Sequence, residues 1–300
     1  MTIEFDGKVA IVTGAGSGLG RSHALGLAAR GAAVVVNDLA GPSFNNAMKV
    51  VEEIRASGGA AIADPADVAN FEEVSEMVAR AERLWGHVDI LVNNAGVLRD
   101  KTFAKMEMAD FEFVLRVHLI GSANCTKAVW AGMRERNYGR IVLTSSASGI
   151  YGNFGQANYG AAKAGMIGLM NVLHLEGAKN DIRVNVLAPT ARTGMTEGLL
   201  SPVAAELMTP ESVTPGVLFL VSENAPSRVI LGAGAGVFAV THIGETPGVY
   251  LDESERTPET IAARFAEISD AKTAEPLKDA FSQTMKFVAA AAKAKGIKLE

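Results

Sequence analysis

Short apolar runs alternate with longer segments of helical periodicity over the first 240 residues of the chain. The runs are rich in Val and Ile and are bounded by Gly, Asn, Asp or Ser, which is typical of strands buried on both faces of a sheet. The predicted strands are 9–13, 33–38, 88–93, 140–145 and 183–188, with weaker candidates at 60–63 and 236–240. The predicted helices are 19–30, 45–57, 71–85, 110–136, 158–179 and 210–222. This alternation predicts an α/β fold with one parallel sheet and helices on both of its faces.

The pattern changes after Thr241, where a turn-rich connector is followed by two helical patterns without strands between them, 258–269 and 276–295. The second pattern places Leu277, Phe281, Met285 and Val288 on one helical face. We therefore predict a nucleotide-binding domain at 1–243 and a C-terminal helical extension at 244–300. The extension either packs on its own domain or serves as a subunit contact or a substrate lid.

Composition and charge exclude several classes of protein. Apolar residues make up 48% of the chain, so it can bury a large core, and a net charge of −5 without a basic run argues against nucleic acid as a partner. No stretch approaches the ~18 consecutive apolar residues of a membrane span. Neither end carries a recognisable targeting signal, so a cytoplasmic location is expected. One cysteine and five histidines without ligand spacing predict neither a disulfide nor a metal site.

A glycine-rich segment follows the first predicted strand and opens a helix. Gly14, Gly18 and Gly20 form the pattern GxxxGxG. Glycines at such a junction let the chain turn sharply and let a pyrophosphate approach the free amides at the helix N-terminus. The fold class predicted is therefore a single doubly wound Rossmann-type parallel sheet with a C-terminal helical extension.

Asp38 ends the second predicted strand, eighteen residues after Gly20, where an acid that binds the adenosine ribose is expected. Its carboxylate would accept hydrogen bonds from the ribose hydroxyls and repel a 2′-phosphate. No Lys or Arg follows before Lys49. The sequence therefore predicts NAD, in preference to NADP, as the cofactor.

Tyr159 and Lys163 stand four residues apart in a helical pattern, which places both on one face. A nearby ammonium lowers the pKa of a tyrosine from about 10 and suits it to acid–base catalysis. Ser145 and Ser146 follow the strand 140–144, at the sheet edge where ligands of such folds bind. These residues form the predicted catalytic group.

Together these motifs resemble the short-chain dehydrogenase/reductase family over residues 5–240. The matching segments are 13–20, 93–96, the serine strand and the Tyr159–Lys163 pair. The resemblance implies that Tyr159 exchanges the hydroxyl proton, that Ser146 rather than Ser145 bonds the substrate oxygen, and that Lys163 holds the nicotinamide ribose and lowers the pKa of Tyr159.

The resemblance also implies the residues that contact the cofactor. They are Gly14, Ser17, Gly18, Leu19, Gly20, Asp38, Asp67, Val68, Asn94, Ala95, Gly96, Tyr159, Lys163, Pro189 and Thr190. Two positions depart from the family pattern: His118 replaces an asparagine of a proton relay, and Thr190 replaces a glycine. His118 either carries a relay or is a half-buried structural histidine.

Segments 36–39, 97–100, 116–119 and 145–159 resemble one branch of the family, the D-3-hydroxyacyl-CoA dehydrogenase units of type 2 peroxisomal multifunctional enzymes, also described as 17β-hydroxysteroid dehydrogenases. This implies a 3-hydroxyacyl-CoA substrate and a stand-alone dehydrogenase. The alternatives are another bulky secondary alcohol such as a steroid, and a non-catalytic NAD-binding sensor. Loop 190–210 and the extension are expected to shape substrate choice.

Two further expectations concern partners. The phosphates of a CoA thioester would need cations near the pocket, for which Arg99, Lys101, Lys105 and Arg192 are candidates, although they could equally be ordinary surface charges. A homodimer or homotetramer is expected through helices 110–136 and 158–179, whose apolar side chains exceed what one sheet face can bury. The side chains proposed for this contact are Val114, Met166, Leu169 and Leu173.

Overall fold

A computed structural model describes residues 2–192 and 201–299 of the chain. The chain forms two compact units, Met1–Val240 and Thr241–Glu300. Part of the predicted substrate loop 190–210 lies outside the described residues.

The first unit is built on one eight-stranded sheet with the strand order β3-β2-β1-β4-β5-β6-β7-β8. Strands β1 to β7 pair in parallel. The strands are β1 (Val9–Thr13), β2 (Ala33–Asn37), β3 (Ala61–Asp64), β4 (Ile90–Asn93), β5 (Gly139–Thr144), β6 (Ile182–Pro189), β7 (Ile230–Gly234) and β8 (Val237–Thr241). The order reverses between β1 and β4, as in doubly wound folds, so the predicted fold class is confirmed.

Strand β7 is missing from the sequence-based prediction, which placed only a weak strand at 236–240. Two of its five residues are glycine, which dilutes the apolar signal of a buried strand. One of them is required by packing, because a Cβ on Gly234 would lie 2.7 Å from the carbonyl oxygen of Thr190. Ala235 and Gly236 then turn the chain with φ of 50° and 76°, and a two-residue turn of this kind makes β8 antiparallel to β7.

Helices connect the parallel strands. Most lie at predicted positions with changes at their ends, whereas the short helices Ala147–Tyr151 and Pro202–Leu207 are missing from the prediction. The helices are α1 (Gly18–Ala28), α2 (Pro42–Ala56), α3 (Phe71–Trp85), α4 (Met108–Leu115), α5 (Gly121–Arg136), α6 (Ala147–Tyr151), α7 (Ala157–Gly177), α8 (Pro202–Leu207) and α9 (Thr214–Leu220). The predicted helix 110–136 is interrupted by a π turn at Arg116–Ile120, which joins α4 to α5. Such a turn widens the helix locally and often occurs at a functional site.

Alternate residues of the strands enter two separate hydrophobic cores, one on each face of the sheet. Ala10 and Val12 of β1 belong to the core that contains α1, α2 and α9 side chains. Val9 and Ile11 belong to the core that contains α3, α5 and α7 side chains. Because β1 to β7 pair in parallel, their carboxyl ends all lie at one edge of this sheet.

The side chains proposed for a subunit contact need correction. Val114 is 0% exposed and Met166 is 1% exposed, so both are already buried within this chain. Leu169 and Leu173 pack against the same core. The large apolar side chains that remain exposed on these helices and on the π turn are Phe113, Ile120, Val172 and Leu175.

The second unit contains three helices, α10 (Pro258–Ala263), α11 (Phe265–Ile268) and α12 (Ala280–Lys295). Asp279 caps α12, since its carboxylate accepts from the amide of Ser282 at 2.7 Å. Lys286 of α12 donates to the carbonyl oxygen of Thr246 at 2.7 Å and to Glu245. Across residues 2–192 and 201–299, no helix is both long enough and apolar enough to cross a membrane.

Candidate active site

Packing requires glycine both in the loop between β1 and α1 and in the first turn of α1. Gly14 has φ of +61°, and a Cβ there would lie 2.8 Å from Cα of Ala95. A Cβ on Gly20 would lie 2.2 Å from the carbonyl oxygen of Gly14. The loop is therefore drawn tightly against α1 and the end of β4, and the α1 N-terminus begins at Gly18.

Asn94 holds this loop in place from the neighbouring strand end. Its Nδ2 donates to the carbonyl oxygens of Thr13 and Gly14 at 2.9 and 3.1 Å. The hydroxyl of Thr13 in turn accepts from the backbone amides of Asn94 and Ala95, both at 3.0 Å. The Asn94 side chain thus braces the glycine loop, a role beyond the cofactor contact that the family resemblance implied.

The carboxylate of Asp38 lies at the end of β2 and faces the same loop. Its Oδ2 accepts from the amide of Gly16 at 2.9 Å, and its Oδ1 accepts from the amide of Leu39 at 2.9 Å. These two bonds fix the plane of the carboxylate while leaving lone pairs for further donors. The orientation fits the binding of two neighbouring hydroxyl groups.

A cleft of about 900 Å³ opens along this edge of the sheet. The predicted cofactor residues among its walls are Gly14, Ser17, Asp38, Asp67, Val68, Ala95 and Gly96. Asn124 of α5 steadies one wall by donating to the carbonyl oxygen of Val68 at 3.0 Å. The cleft has the size and the glycine-lined floor that an extended dinucleotide requires.

A second cavity of about 510 Å³ shares the lining residues Ser17 and Gly96 with the cleft. It brings together the three predicted catalytic residues and the rest of the predicted cofactor residues. These are Ser146, Tyr159 and Lys163, with Gly18, Leu19, Asn94, Pro189 and Thr190. Gly20 alone of the predicted set lines neither space, and it contributes through its contact with Gly14.

Ser146 and Tyr159 both line this second cavity, and the Ser146 hydroxyl is near enough to lower the pKa of Tyr159 in part. Ser146 is the N-cap of α6, and its Oγ accepts from the amide of Ser148 at 3.2 Å. The hydroxyl of Ser145, by contrast, is buried and donates to the carbonyl oxygen of Lys163 at 2.7 Å. The geometry therefore favours Ser146 as the serine that meets a substrate and gives Ser145 a structural role.

Lys163 lies one helical turn after Tyr159 and is 3% exposed. Its Nζ donates to the carbonyl oxygen of Thr144 at 2.6 Å and lies 5.5 Å from the centroid of the Tyr159 ring. Burial lowers the pKa of Lys163 to about 7, because the apolar surroundings disfavour the ammonium. The amine is therefore only partly charged at neutral pH.

The expectation that Lys163 lowers the pKa of Tyr159 is wrong for this structure. The pKa of Tyr159 is raised, chiefly because burial disfavours the phenolate. The hydrogen bond from Ser146 lowers the pKa and the charge of Asp100 raises it further, but Lys163 makes no contribution of this kind. Tyr159 thus carries its proton at neutral pH, which suits it to donate that proton to a carbonyl oxygen.

His118 lies on the π turn and is 2% exposed. Its Nε2 is 2.8 Å from the carbonyl oxygen and 3.0 Å from the amide of Val97, and its ring meets the Tyr159 ring edge-on at 5.2 Å between centroids. Burial, with the nearby charge of Lys163, lowers its pKa to about 3. The imidazole is therefore neutral; it is buried rather than half-buried, and its Nδ1 has no hydrogen-bond partner among the described residues. Its part in a proton relay stays a prediction.

Asp100 and Gln156 also border the second cavity, although the sequence analysis gave them no role. Gln156 Nε2 donates to Asp100 Oδ2 at 2.6 Å, and Gln156 Oε1 accepts from Ser148 Oγ at 2.8 Å. This chain of bonds reaches from Asp100 to the cap of α6. Asp100 belongs to segment 97–100, which resembles the dehydrogenase branch. That resemblance is the sequence feature that could have indicated a role for Asp100.

Two of the four candidate cations near the cavity lie close to the carboxylate of Asp110. Lys101 Nζ lies 3.2 Å from Asp110 Oδ2, and Arg99 Nε lies 3.9 Å from Asp110 Oδ1. Both side chains are about half exposed. Lys105 and Arg192 are exposed as well.

Comparison with known proteins gives consistent matches. The model of the family described as short chain dehydrogenase matches residues 8–202. Peroxisomal multifunctional enzyme type 2 of Mus musculus is 44% identical over 280 residues, covering 89% of this chain and 37% of that protein. Peroxisomal hydratase-dehydrogenase-epimerase of Saccharomyces cerevisiae is 43% identical over 281 residues, covering 89% of this chain and 31% of that protein.

Among solved structures, full-length peroxisomal multifunctional enzyme type 2 from Drosophila melanogaster aligns with a TM-score of 0.83 at 38% identity, over 97% of this chain and 50% of that one. These matches confirm the resemblance that the sequence motifs indicated. The chain spans about a third of the length of the mouse and yeast relatives.

Proposed function

The chain belongs to the short-chain dehydrogenase/reductase family, as an oxidoreductase acting on CH–OH groups, and we propose that it interconverts a secondary alcohol and a ketone with NAD as the hydride carrier. The observation that carries the proposal is that Ser146, Tyr159 and Lys163 line one cavity, which shares walls with the cleft lined by Asp38. A proton donor, a second hydrogen-bonding group and a dinucleotide cleft thereby meet at one sheet edge.

The residues of the cleft fit NAD. Asp38 would bind the adenosine ribose, the glycine loop would receive the pyrophosphate, and Lys163 would bind the nicotinamide ribose. Asp38 is followed by the apolar Leu39 and not by a basic residue that would pair with a 2′-phosphate. A bound nicotinamide would supply or accept the hydride, which is chemistry that no side chain provides.

The side chains would divide the proton chemistry between them. Tyr159 would give its hydroxyl proton to the carbonyl oxygen during reduction and take it back from the alcohol during oxidation. Ser146 would donate a hydrogen bond to the same oxygen and so stabilise its developing negative charge. Lys163, fixed by Thr144, would hold its amine beside the Tyr159 ring without itself reaching the substrate.

The substrate that we propose is a 3-hydroxyacyl-CoA. Support comes from the relatives that are named as multifunctional and hydratase-dehydrogenase enzymes, since hydration of a double bond produces the kind of alcohol that a dehydrogenase oxidises. Arg99, Lys101, Lys105 and Arg192 are cations that could meet the CoA phosphates. A steroid or other bulky alcohol is the alternative within the same chemistry.

The test is NADH formation from 3-hydroxybutyryl-CoA and, separately, from a steroid alcohol. Tyr159→Phe removes the hydroxyl and keeps the ring, so kcat should fall by at least ~100-fold while NAD still binds. Tyr151→Phe, at a largely exposed tyrosine of α6, is the matched control and should stay close to the parent. Preference for the steroid would select the alternative substrate, and NAD binding without turnover of either would show a sensor.

We also propose a homodimer or homotetramer, supported by the exposed apolar side chains of Phe113, Ile120, Val172 and Leu175. Sedimentation at micromolar concentration measures the mass in solution, and the mass of a monomer would contradict the proposed oligomer. The cytoplasmic location stays a prediction, since the mouse and yeast relatives are named as peroxisomal proteins.

A further inference from the structure

The charges on the walls of the second cavity are few. Among the described residues that line it, Asp100 is the only acid and Lys163, whose amine is partly charged, is the only lysine or arginine, since Tyr159 keeps its proton and His118 is neutral. Lys163 lies deep, is buried, and donates to the carbonyl oxygen of Thr144. It is therefore poorly placed to receive a carboxylate from the substrate.

Asp100 differs from Lys163 in being exposed and in facing the space that the substrate would fill. Its carboxylate is held by Gln156 Nε2 at 2.6 Å, and Gln156 is anchored in turn by Ser148 and by Asn153, whose Nδ2 donates to Gln156 Oε1 at 3.1 Å. The backbone is anchored beside it, because the amide of Lys101 donates to the carbonyl oxygen of Gly155 at 3.0 Å. The negative charge is thus kept at a fixed place on the rim.

The same carboxylate acts on the reacting group. The negative charge of Asp100 is one of the causes that raise the pKa of Tyr159, so its field reaches the phenolic oxygen. A substrate oxygen bonded to Tyr159 and Ser146 would lie in that field. A second negative charge on the substrate near this oxygen would be repelled. Arg99 and Lys101 flank Asp100 in the chain, but neither lines this cavity and both lie near the carboxylate of Asp110.

We propose that Asp100 determines specificity by excluding alcohols and ketones that carry a negative charge close to the reacting carbon. The acyl group next to that carbon must then be uncharged, as in a thioester, ester or amide, and free hydroxy acids are rejected. This inference rests on the proposed dehydrogenase function and narrows its substrate class.

The experiment compares two probes of nearly equal shape, 3-hydroxybutyrate and 3-hydroxybutyramide, in the holoenzyme with saturating NAD. The parent should prefer the neutral amide in kcat/KM. Asp100→Asn keeps an oxygen that can accept from Gln156 and removes the charge, so the preference should fall about fivefold, an effect of the size expected for an exposed and screened charge. If the acid is turned over too slowly, its inhibition constant against the amide gives the same comparison.

Two controls separate charge from structure. Asp100→Glu keeps the charge and should keep the preference. Asp110→Asn removes a carboxylate that pairs with Lys101 and does not line the cavity, so it should leave the preference unchanged.

An unchanged amide-to-acid ratio in Asp100→Asn, or an equal change in Asp110→Asn, would overturn the inference. Loss of turnover of both 3-hydroxybutyryl-CoA and the steroid alcohol by the parent would instead refute the proposed function, so the two failures are distinguishable.

Discussion

The imidazole of His118 lies directly against Gly96. A Cβ on Gly96 would lie 2.2 Å from Cε1 of His118 and 2.9 Å from its Nδ1, although the backbone of Gly96 does not have the positive φ that favours glycine. The ring alone therefore requires glycine at this position. Since Gly96 borders both the cleft and the cavity, the size of the side chain at 118 sets how closely segment 94–97 can approach the cofactor space.

This contact predicts that a smaller side chain at position 118 restores activity lost by a substitution at Gly96. Gly96→Ala should lower kcat/KM by about tenfold, because the methyl group must displace the His118 ring or the wall of the cleft. Combining it with His118→Asn, a smaller side chain, should recover at least half of the lost free energy of activation, as read from a double-mutant cycle. Gly168→Ala adds a methyl group where no atom lies within 4 Å and is the control. Purely additive effects would show that the clash is not the cause.

Cofactor choice should depend on Asp38. The parent should prefer NAD over NADP by at least about tenfold in kcat/KM, or about 1.4 kcal/mol, since the carboxylate repels a 2′-phosphate. Asp38→Asn can still accept from Gly16 but has no charge, so the preference should shrink. Asp67→Asn removes another carboxylate of the same cleft and should leave the preference closer to that of the parent. Equal efficiency of the parent with both cofactors would refute the assignment.

Recognition of CoA should involve the cations beside the cavity. Arg99→Ala combined with Lys101→Ala should raise KM for a 3-hydroxyacyl-CoA and leave KM for a short CoA-free 3-hydroxy ester nearly unchanged, because only the first carries phosphates. Arg134→Ala with Lys179→Ala removes two exposed cations at the opposite edge of the sheet and is the control. If both substrates respond alike, or neither responds, these cations do not bind CoA.

Acid should destabilise the protein through His23. This histidine is fully buried beside Thr214, whose hydroxyl lies 2.9 Å from its Nδ1, and burial lowers its pKa to about 3. Between pH 6.5 and 3 the unfolded chain binds a proton at this residue that the folded chain does not. The free energy of unfolding should therefore fall as the pH falls through this window, by about 1.4 kcal/mol per pH unit from this group.

His23→Gln should remove that slope even if it lowers stability at every pH. Urea unfolding at several pH values between 6 and 4 measures it. His242→Gln, at an exposed histidine, is the control. A slope that is the same in His23→Gln and the parent would contradict the prediction.

The parts of the fold and site that follow from local chemistry could be predicted from the sequence. The glycine loop and Asp38 were predictable because a tight strand–helix turn and an acid at the end of the next strand need particular residues at particular places. The pairing of Tyr159 with Lys163 on one helical face follows from helix geometry.

The remaining features depend on contacts between residues that are far apart in the sequence. The pKa of Tyr159 could not be predicted because it depends chiefly on how deeply the fold buries the phenol. Val114 and Met166 were assigned to a subunit contact because apolar spacing does not show which face the sheet already covers. Strand β7 was missed because glycine has a low strand propensity. Gly234 is required instead by its close packing against Thr190.

The bonds from Asn94 Nδ2 to the carbonyl oxygens of Thr13 and Gly14 affect the thermodynamics of cofactor association. Donor and acceptors all belong to the protein, so the conformation of the loop is set when the chain folds. Ordering a flexible backbone costs about 1–2 kcal/mol of entropy per residue, and a preorganised loop does not incur this cost again at each binding event. Cofactor exchange during turnover then requires diffusion and desolvation, and not repeated ordering of the loop.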